Sequence, residues 1–122
     1  MKIKILLVDD EPDVLNILCK KLEAAGYFTA RASDGNEGLR KVREEKPDLV
    51  LLDIMMPNKD GFVMLRDLQS DEKLRIIPVI MVSAKSEADS LFECQRLGAM
   101  DYLIKPIDFD ELLKYIRKYT LA

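Results

Sequence analysis

Five residues of this sequence could do chemistry together: Asp9, Asp10, Asp53, Ser83 and Lys105. They close four apolar runs, Ile5-Leu6-Leu7-Val8-Asp9-Asp10, Leu49-Val50-Leu51-Leu52-Asp53, Val79-Ile80-Met81-Val82-Ser83 and Tyr102-Leu103-Ile104-Lys105. Crowded carboxylates repel, so ionising all three acids in one place is costly. A hard divalent cation removes that cost, and Mg²⁺ takes one or two protein carboxylates while water and phosphate oxygens complete its octahedron. Asp53, behind four aliphatic residues, is the most rigidly mounted of the acids and can act as a nucleophile, as carboxylates do in aspartyl-phosphate chemistry. The product would be an acyl phosphate, neutralised by the cation and Lys105 and hydrogen-bonded by the Ser83 hydroxyl. The chain has no histidine. That excludes a Ser-His or Cys-His nucleophile pair and an imidazole zinc site, and any phosphohistidine must come from another protein.

For these groups to meet, the apolar runs must be parallel strands whose carboxyl ends share one edge of a sheet. The intervening segments have the pattern this requires. Pro12 opens a helix carrying Val14, Leu15, Leu18, Leu22 and Ala25, which Gly26 stops. A weaker strand over 27–32 leads through Ser33-Asp34-Gly35 to a helix with Leu39 and Val42 inward, ending before Pro47. Asp60 is a cap for a third helix holding Leu65 and Leu68. Ser86-Glu87-Ala88-Asp89 starts a fourth, with Leu91, Phe92 and Leu97 expected inward and Gly98 as its stop. Phe109, Leu112, Leu113 and Ile116 form the i, i+3, i+4, i+7 stripe of the last. Five strands alternating with five helices predict an α/β, doubly wound, five-stranded parallel sheet.

At 122 residues one domain spanning 1–122 is expected, large enough to bury a core without staples. The net charge of −3 gives no reason to expect direct nucleic-acid binding. Cys19 and Cys94 share no metal-ligand spacing and read as small buried thiols. Met1-Lys2-Ile3-Lys4 leads straight into a strand, without a signal peptide, and no apolar run reaches the roughly 18 residues of a membrane span. A reduced cytoplasmic setting is expected.

The stretch from Asp53 through Met55, Met56, Pro57 and Asn58 to Asp60-Gly61 resembles the signature of response-regulator receiver domains, the CheY-like family of two-component signalling. Val8-Asp9-Asp10-Glu11, Ala32-Ser33-Asp34-Gly35, Ser83-Ala84-Lys85, Gly98-Ala99 and Lys105-Pro106 agree with it in order and spacing over essentially the whole chain. The resemblance implies a flavodoxin-like sheet in the order 2-1-3-4-5. It also implies Asp53 as phosphoacceptor, and Asp10, Asp53 and the Met55 backbone carbonyl as ligands of Mg²⁺ (or Mn²⁺), with Asp9 assisting through water. Ser83, Ala84 and Lys105 would contact the phosphoryl group, Ser83 and Tyr102 would form the switch, and Lys105-Pro106 would be cis. Met55 and Lys85 match positions that tune hydrolysis in the family.

An aspartyl-phosphate hydrolase with an Asp-x-Asp pair keeps a second acid two residues after its nucleophile. Here that position is Met55. Without an acid–base partner the site should make an acyl phosphate without hurrying its destruction, the property of a switch rather than of an enzyme. The expected function is acceptance of a phosphoryl group from a partner histidine kinase, docked near the first helix. The altered surface of the fourth helix, fifth strand and fifth helix would then meet a downstream protein target or effector domain. A monomer is expected, with a phosphorylation-driven dimer left open. The rivals are a Mg²⁺-dependent phosphatase, a flavodoxin-like mononucleotide module, a pseudo-receiver, and a receiver trimmed from a DNA-binding regulator or hybrid kinase. Asp9-Asp10-Glu11-Pro12 would repel a phosphate where the mononucleotide module needs a glycine-rich cradle. An initiating Met1 and the absence of any linker after Ala122 lead to the expectation of a stand-alone regulator.

Overall fold

The computed structural model describes residues 2–56, 58–84 and 88–120, with only the backbone of 88–90. Pro57, Lys85, Ser86 and Glu87 lie outside the described residues, and with them the tuning role expected of Lys85 and the start expected for the fourth helix. The chain alternates strictly: β1 (Lys4–Val8), α1 (Pro12–Ala24), β2 (Phe28–Ala32), α2 (Gly35–Glu45), β3 (Leu49–Asp53), α3 (Gly61–Ser70), β4 (Val79–Ser83), α4 (Ala88–Arg96), β5 (Asp101–Ile104) and α5 (Phe109–Thr120). The strands form one sheet in the order β2-β1-β3-β4-β5, parallel throughout.

The central strands β1, β3 and β4 bury both faces, because helices cover the sheet on both sides, whereas the edge strands β2 and β5 are only partly covered. Leu6 and Val8 of β1, Val50 and Leu52 of β3, and Val79 and Met81 of β4 pack in one layer with Leu39, Met64, Leu65, Leu68 and Cys94 from α2, α3 and α4. Their neighbours Ile5, Leu7, Leu49, Leu51, Ile80 and Val82 face Leu15, Leu18, Leu22, Leu112 and Ile116 from α1 and α5. Side chains alternate with a period of two along a strand. Asp9, Asp53 and Lys105 therefore continue the series 5-7, 49-51 and 103 toward the α1–α5 side. Ser83 continues the series 79-81 toward the other side, where Tyr102 also packs.

Helix starts are set as the sequence indicates. Pro12 opens α1, and the carboxylates of Asp34 and Asp60 accept from the N–H groups of Glu37 (2.8 Å) and Val63 (2.9 Å) at the starts of α2 and α3. Two expectations need correction. Ala25 is exposed, lying one residue past the end of α1. Leu91 and Phe92, expected inward on α4, are 39% and 69% exposed. The inward line of α4 runs instead through Cys94, with Leu97 packed just beyond the helix. Residue 92 lies two positions from residue 94, roughly half a turn away on a helix of about 3.6 residues per turn and so on the opposite face. It cannot share that line.

Candidate functional site

Pairing places the polar strand ends side by side: Val8 opposite Leu52, Asp53 opposite Val82, and Ser83 opposite Ile104. Beyond the ladder, the Ser83 carbonyl accepts from the Lys105 N–H at 2.7 Å, tying the ends of β4 and β5 together. The Asp9 N–H donates to the Ala32 carbonyl (3.1 Å), and the Asp9 carboxylate accepts from the Glu11 N–H (2.9 Å), folding the chain into the start of α1.

The side chains converge on the α1–α5 side, as the alternation requires. Lys105 Nζ lies 3.0 Å from Asp9 Oδ2, 3.0 Å from Glu11 Oε1 and 3.2 Å from Asp53 Oδ2. Asp9 and Asp53 are buried, whereas Asp10 and Glu11 are exposed at the mouth. One carboxylate oxygen from each of these four acids lies within 4.8 Å of the others. Burial pushes the Asp53 carboxyl above its ordinary value, and the charge of Asp9 adds to the rise against the opposing pull of Lys105. Burial pulls Lys105 down, but the hydrogen bonds it donates to Glu11 and Asp9 and the charges of Asp53 and Asp9 carry it above the ordinary lysine range. In an isolated ion pair the acid would fall as the amine rose. Here three acids share one ammonium, so the amine gains and dehydrated Asp53 does not.

The remaining sequence-derived residues surround this cluster. Ser83 is buried at the end of β4 and Ala84 follows it, exposed. Met55 is 73% exposed, and its N–H lies 3.4 Å from Asp53 Oδ1. Tyr102 is half-buried on the far side of the sheet, lining a cavity of about 270 Å³ with Leu91, Cys94 and Tyr119. Lys105-Pro106 is a cis peptide. A second cavity, of about 450 Å³, opens beside Lys105 between Val14, Ile17 and Leu18 of α1 and Pro106 and Phe109. Glu11 was not singled out from sequence. The signal was present in the run Asp9-Asp10-Glu11, but its partner lies 94 positions away.

The donors are hard oxygens, two of them on buried carboxylates, and the cluster holds more negative charge than Lys105 offsets. Such a set suits a hard divalent cation. Asp9, Asp10, Glu11 and Asp53 are the residues whose oxygens could hold it.

Fold and site together define a doubly wound module with an acidic pocket on the carboxyl edge of its sheet. Residues 5–117 match the model of the response regulator receiver domain, and the chain belongs to that family. It is 42% identical over 113 residues to protein PilH of Pseudomonas aeruginosa, covering 93% of each chain. It is also 42% identical over 106 residues to PhoP of Bacillus subtilis, the alkaline phosphatase synthesis transcriptional regulatory protein, covering 87% of this chain but 43% of that one. Among solved structures, chemotaxis protein CheY4 of Vibrio cholerae superposes with a TM-score of 0.91 at 27% identity, over 98% of this chain and 99% of the other. The receiver domain of Francisella response regulator 1452 does so with 0.90 at 31% identity, over 98% and 97%. Among the described residues, no helix is long and apolar enough to cross a membrane.

Proposed function

We propose that this chain is a phosphoacceptor switch that takes a phosphoryl group from a partner histidine kinase onto Asp53. The observation that carries this reading is the single ammonium of Lys105 within 3.2 Å of Asp53 and 3.0 Å of Asp9, inside an acid cluster at the carboxyl edge of the sheet. A carboxylate oxygen of Asp53 attacks phosphorus, the bond to the donor's imidazole nitrogen breaks, and an acyl phosphate remains. Lys105, already in contact with Asp53, pairs with the added negative charge. Bound by Asp10, Asp53 and the Met55 carbonyl, with Asp9 acting through water, Mg²⁺ (or Mn²⁺) would supply charge neutralisation for the phosphoryl oxygens. Ser83 and the backbone of Ala84 serve as phosphate contacts at the end of β4.

Met55 stands where a turnover catalyst would keep a second acid, so the acyl phosphate persists as a signal. Ser83 and Tyr102 lie on the same side of the sheet. A shift of Ser83 toward the phosphate is answered by movement of Tyr102, altering the face formed by α4, β5 and α5, a two-state element biased by a local charge change. The kinase docks at α1, where the apolar cavity opens beside Lys105. The chain acts as a single domain over 1–122, in the cytoplasm, as a monomer that meets a downstream protein and no nucleic acid directly. Its near-complete overlap with PilH supports a stand-alone regulator. The second reading, a receiver within a longer DNA-binding regulator, is favoured by the match to less than half of PhoP.

Incubation with acetyl phosphate and Mg²⁺ tests the assignment. One phosphoryl group per chain is expected on the wild type and none on Asp53→Asn, read by intact-mass spectrometry. Equal labelling of the two proteins would overturn it, and many turnovers on a small phosphoester would favour a phosphatase.

A further inference from the structure

The loop between β3 and α3 carries Met55 past Asp53 and is pinned at two places near its start and end, once to β4 and once to itself. The Ile54 N–H donates to the Val82 carbonyl (3.0 Å), and the Gly61 N–H donates to the Ile54 carbonyl (2.8 Å). The second contact holds the loop so tightly that a Cβ on Gly61 would collide with the Asp53 carbonyl oxygen. At its far side the same loop is held by a different element. Asn58 Nδ2 donates to Asp34 Oδ2 at 3.1 Å, and the Gly35 N–H donates to the Lys59 carbonyl at 3.1 Å. The approach is close: a Cβ on Gly35 would lie 2.6 Å from that carbonyl oxygen. Asn58 has φ of 66°, the left-handed region that asparagine tolerates better than most residues.

Asp34 thus uses its two carboxylate oxygens for two different things. Oδ1 caps α2 through the Glu37 N–H at 2.8 Å, and Oδ2 reaches across to Asn58. Capping alone needs only one oxygen, and a serine would supply it. The second oxygen ties the start of α2 to the loop that flanks Asp53.

We propose that Asp34 and Asn58 form a latch that positions the β3–α3 loop from outside the site, and so sets how well the acid cluster binds a divalent cation. Neither residue belongs to the cluster. Both are positioning residues, acting through the backbone on either side of Met55, in the way outer contacts orient metal ligands elsewhere. The inference rests on the proposed reading of the acid cluster as a Mg²⁺ site.

Two substitutions separate the latch from ordinary roles. Asp34→Ser keeps a capping oxygen but is too short to reach Asn58, and Asn58→Gly keeps the left-handed backbone but removes the amide. Calorimetric titration with MgCl₂ should show each single variant binding roughly 10-fold more weakly than wild type. The double variant should be no weaker than either single one, since the two residues act as one unit. Amide hydrogen exchange gives a metal-free reading across the gap. Asn58→Gly should speed exchange at Gly35 and Asp34→Ser should speed it at Gly61, with Leu51 in the sheet unchanged. Wild-type Mg²⁺ affinity in both single variants, or losses that add in the double variant, would overturn the latch. If wild type itself takes up no Mg²⁺, the metal reading of the cluster fails; the link from latch to cation falls with it, and unchanged exchange at Gly35 and Gly61 would dispose of the latch as well.

Discussion

Helices α3 and α4 are of similar length and cover the same side of the sheet, yet they are packed very differently. Met64, Leu65 and Leu68 of α3 are fully buried. In α4, Cys94 is buried, whereas Leu91 is 39% and Phe92 69% exposed. Around α4 lie two more exposed apolar side chains, Met100 (51%) and Ile104 (43%). The better-packed helix is the one joined to the loop beside Asp53, while the looser one borders Tyr102 and its cavity. Rigid support goes to the residues that must hold charge at fixed distances. The surface proposed to rearrange lies one helix further along, where exposed Leu91 and Phe92 leave less buried area to oppose movement.

The sharpest way to break this contrast is to empty the well-packed side. Leu65→Ala removes a fully buried side chain from the layer under α3 and should cost about 2–5 kcal/mol of stability. Urea unfolding followed by circular dichroism measures it. A loss below about 1 kcal/mol would mean the layer collapses around the gap, and the two helices would not differ as described.

A second measurement concerns the charge that the rigid side supports. Burial raises the Asp53 carboxyl above 3.8, so the folded chain holds that proton more tightly than the unfolded one. The sign follows directly: the ionised form weakens the fold. That penalty is absent below the unfolded value near 3.8, develops as pH rises through the raised folded value, and is fully present at neutral pH. Without divalent cations, Asp53→Asn should therefore melt higher than wild type at pH 7, and the difference should close near pH 3. Thermal melts in EDTA across that range check it, and a lower melting point for the variant at pH 7 would contradict it. Added MgCl₂ should raise the wild type and leave the variant nearly unmoved.

The smallest effect belongs to α4. Phe92→Ala removes a side chain that is mostly in water and should change stability by no more than about 0.5 kcal/mol. A loss comparable to that of Leu65→Ala would place Phe92 in the packed interior and erase the comparison.

Much of this arrangement can be read from the sequence, for identifiable reasons. Strands buried on both faces give unbroken runs such as Leu49-Val50-Leu51-Leu52, and parallel strands put every carboxyl end on one edge, so the meeting of Asp9, Asp53 and Lys105 follows from the chain's order. The cap Asp60 is equally plain, because capping is a local rule. The inward face of α4 is not plain. Leu91 and Phe92 are adjacent apolar residues that no helix can bury on one narrow line, and although Cys94 reads as a buried thiol, only packing reveals that the line passes through it and leaves Phe92 outside. Glu11 was hidden for a different reason, since its contact with Lys105 spans 94 positions. The tie between Asp34 and Asn58 was hidden likewise: each residue reads as a turn signal of its own, and nothing local connects them.

The alternation of side chains along the strands makes the sheet a partition between two separate interiors. Acids and amine stand in one compartment, and Tyr102 with its cavity in the other. Under the proposed switch, an event among the acids reaches the second compartment around the rim, where Ser83, at the end of β4 and on the Tyr102 side, stands at the crossing.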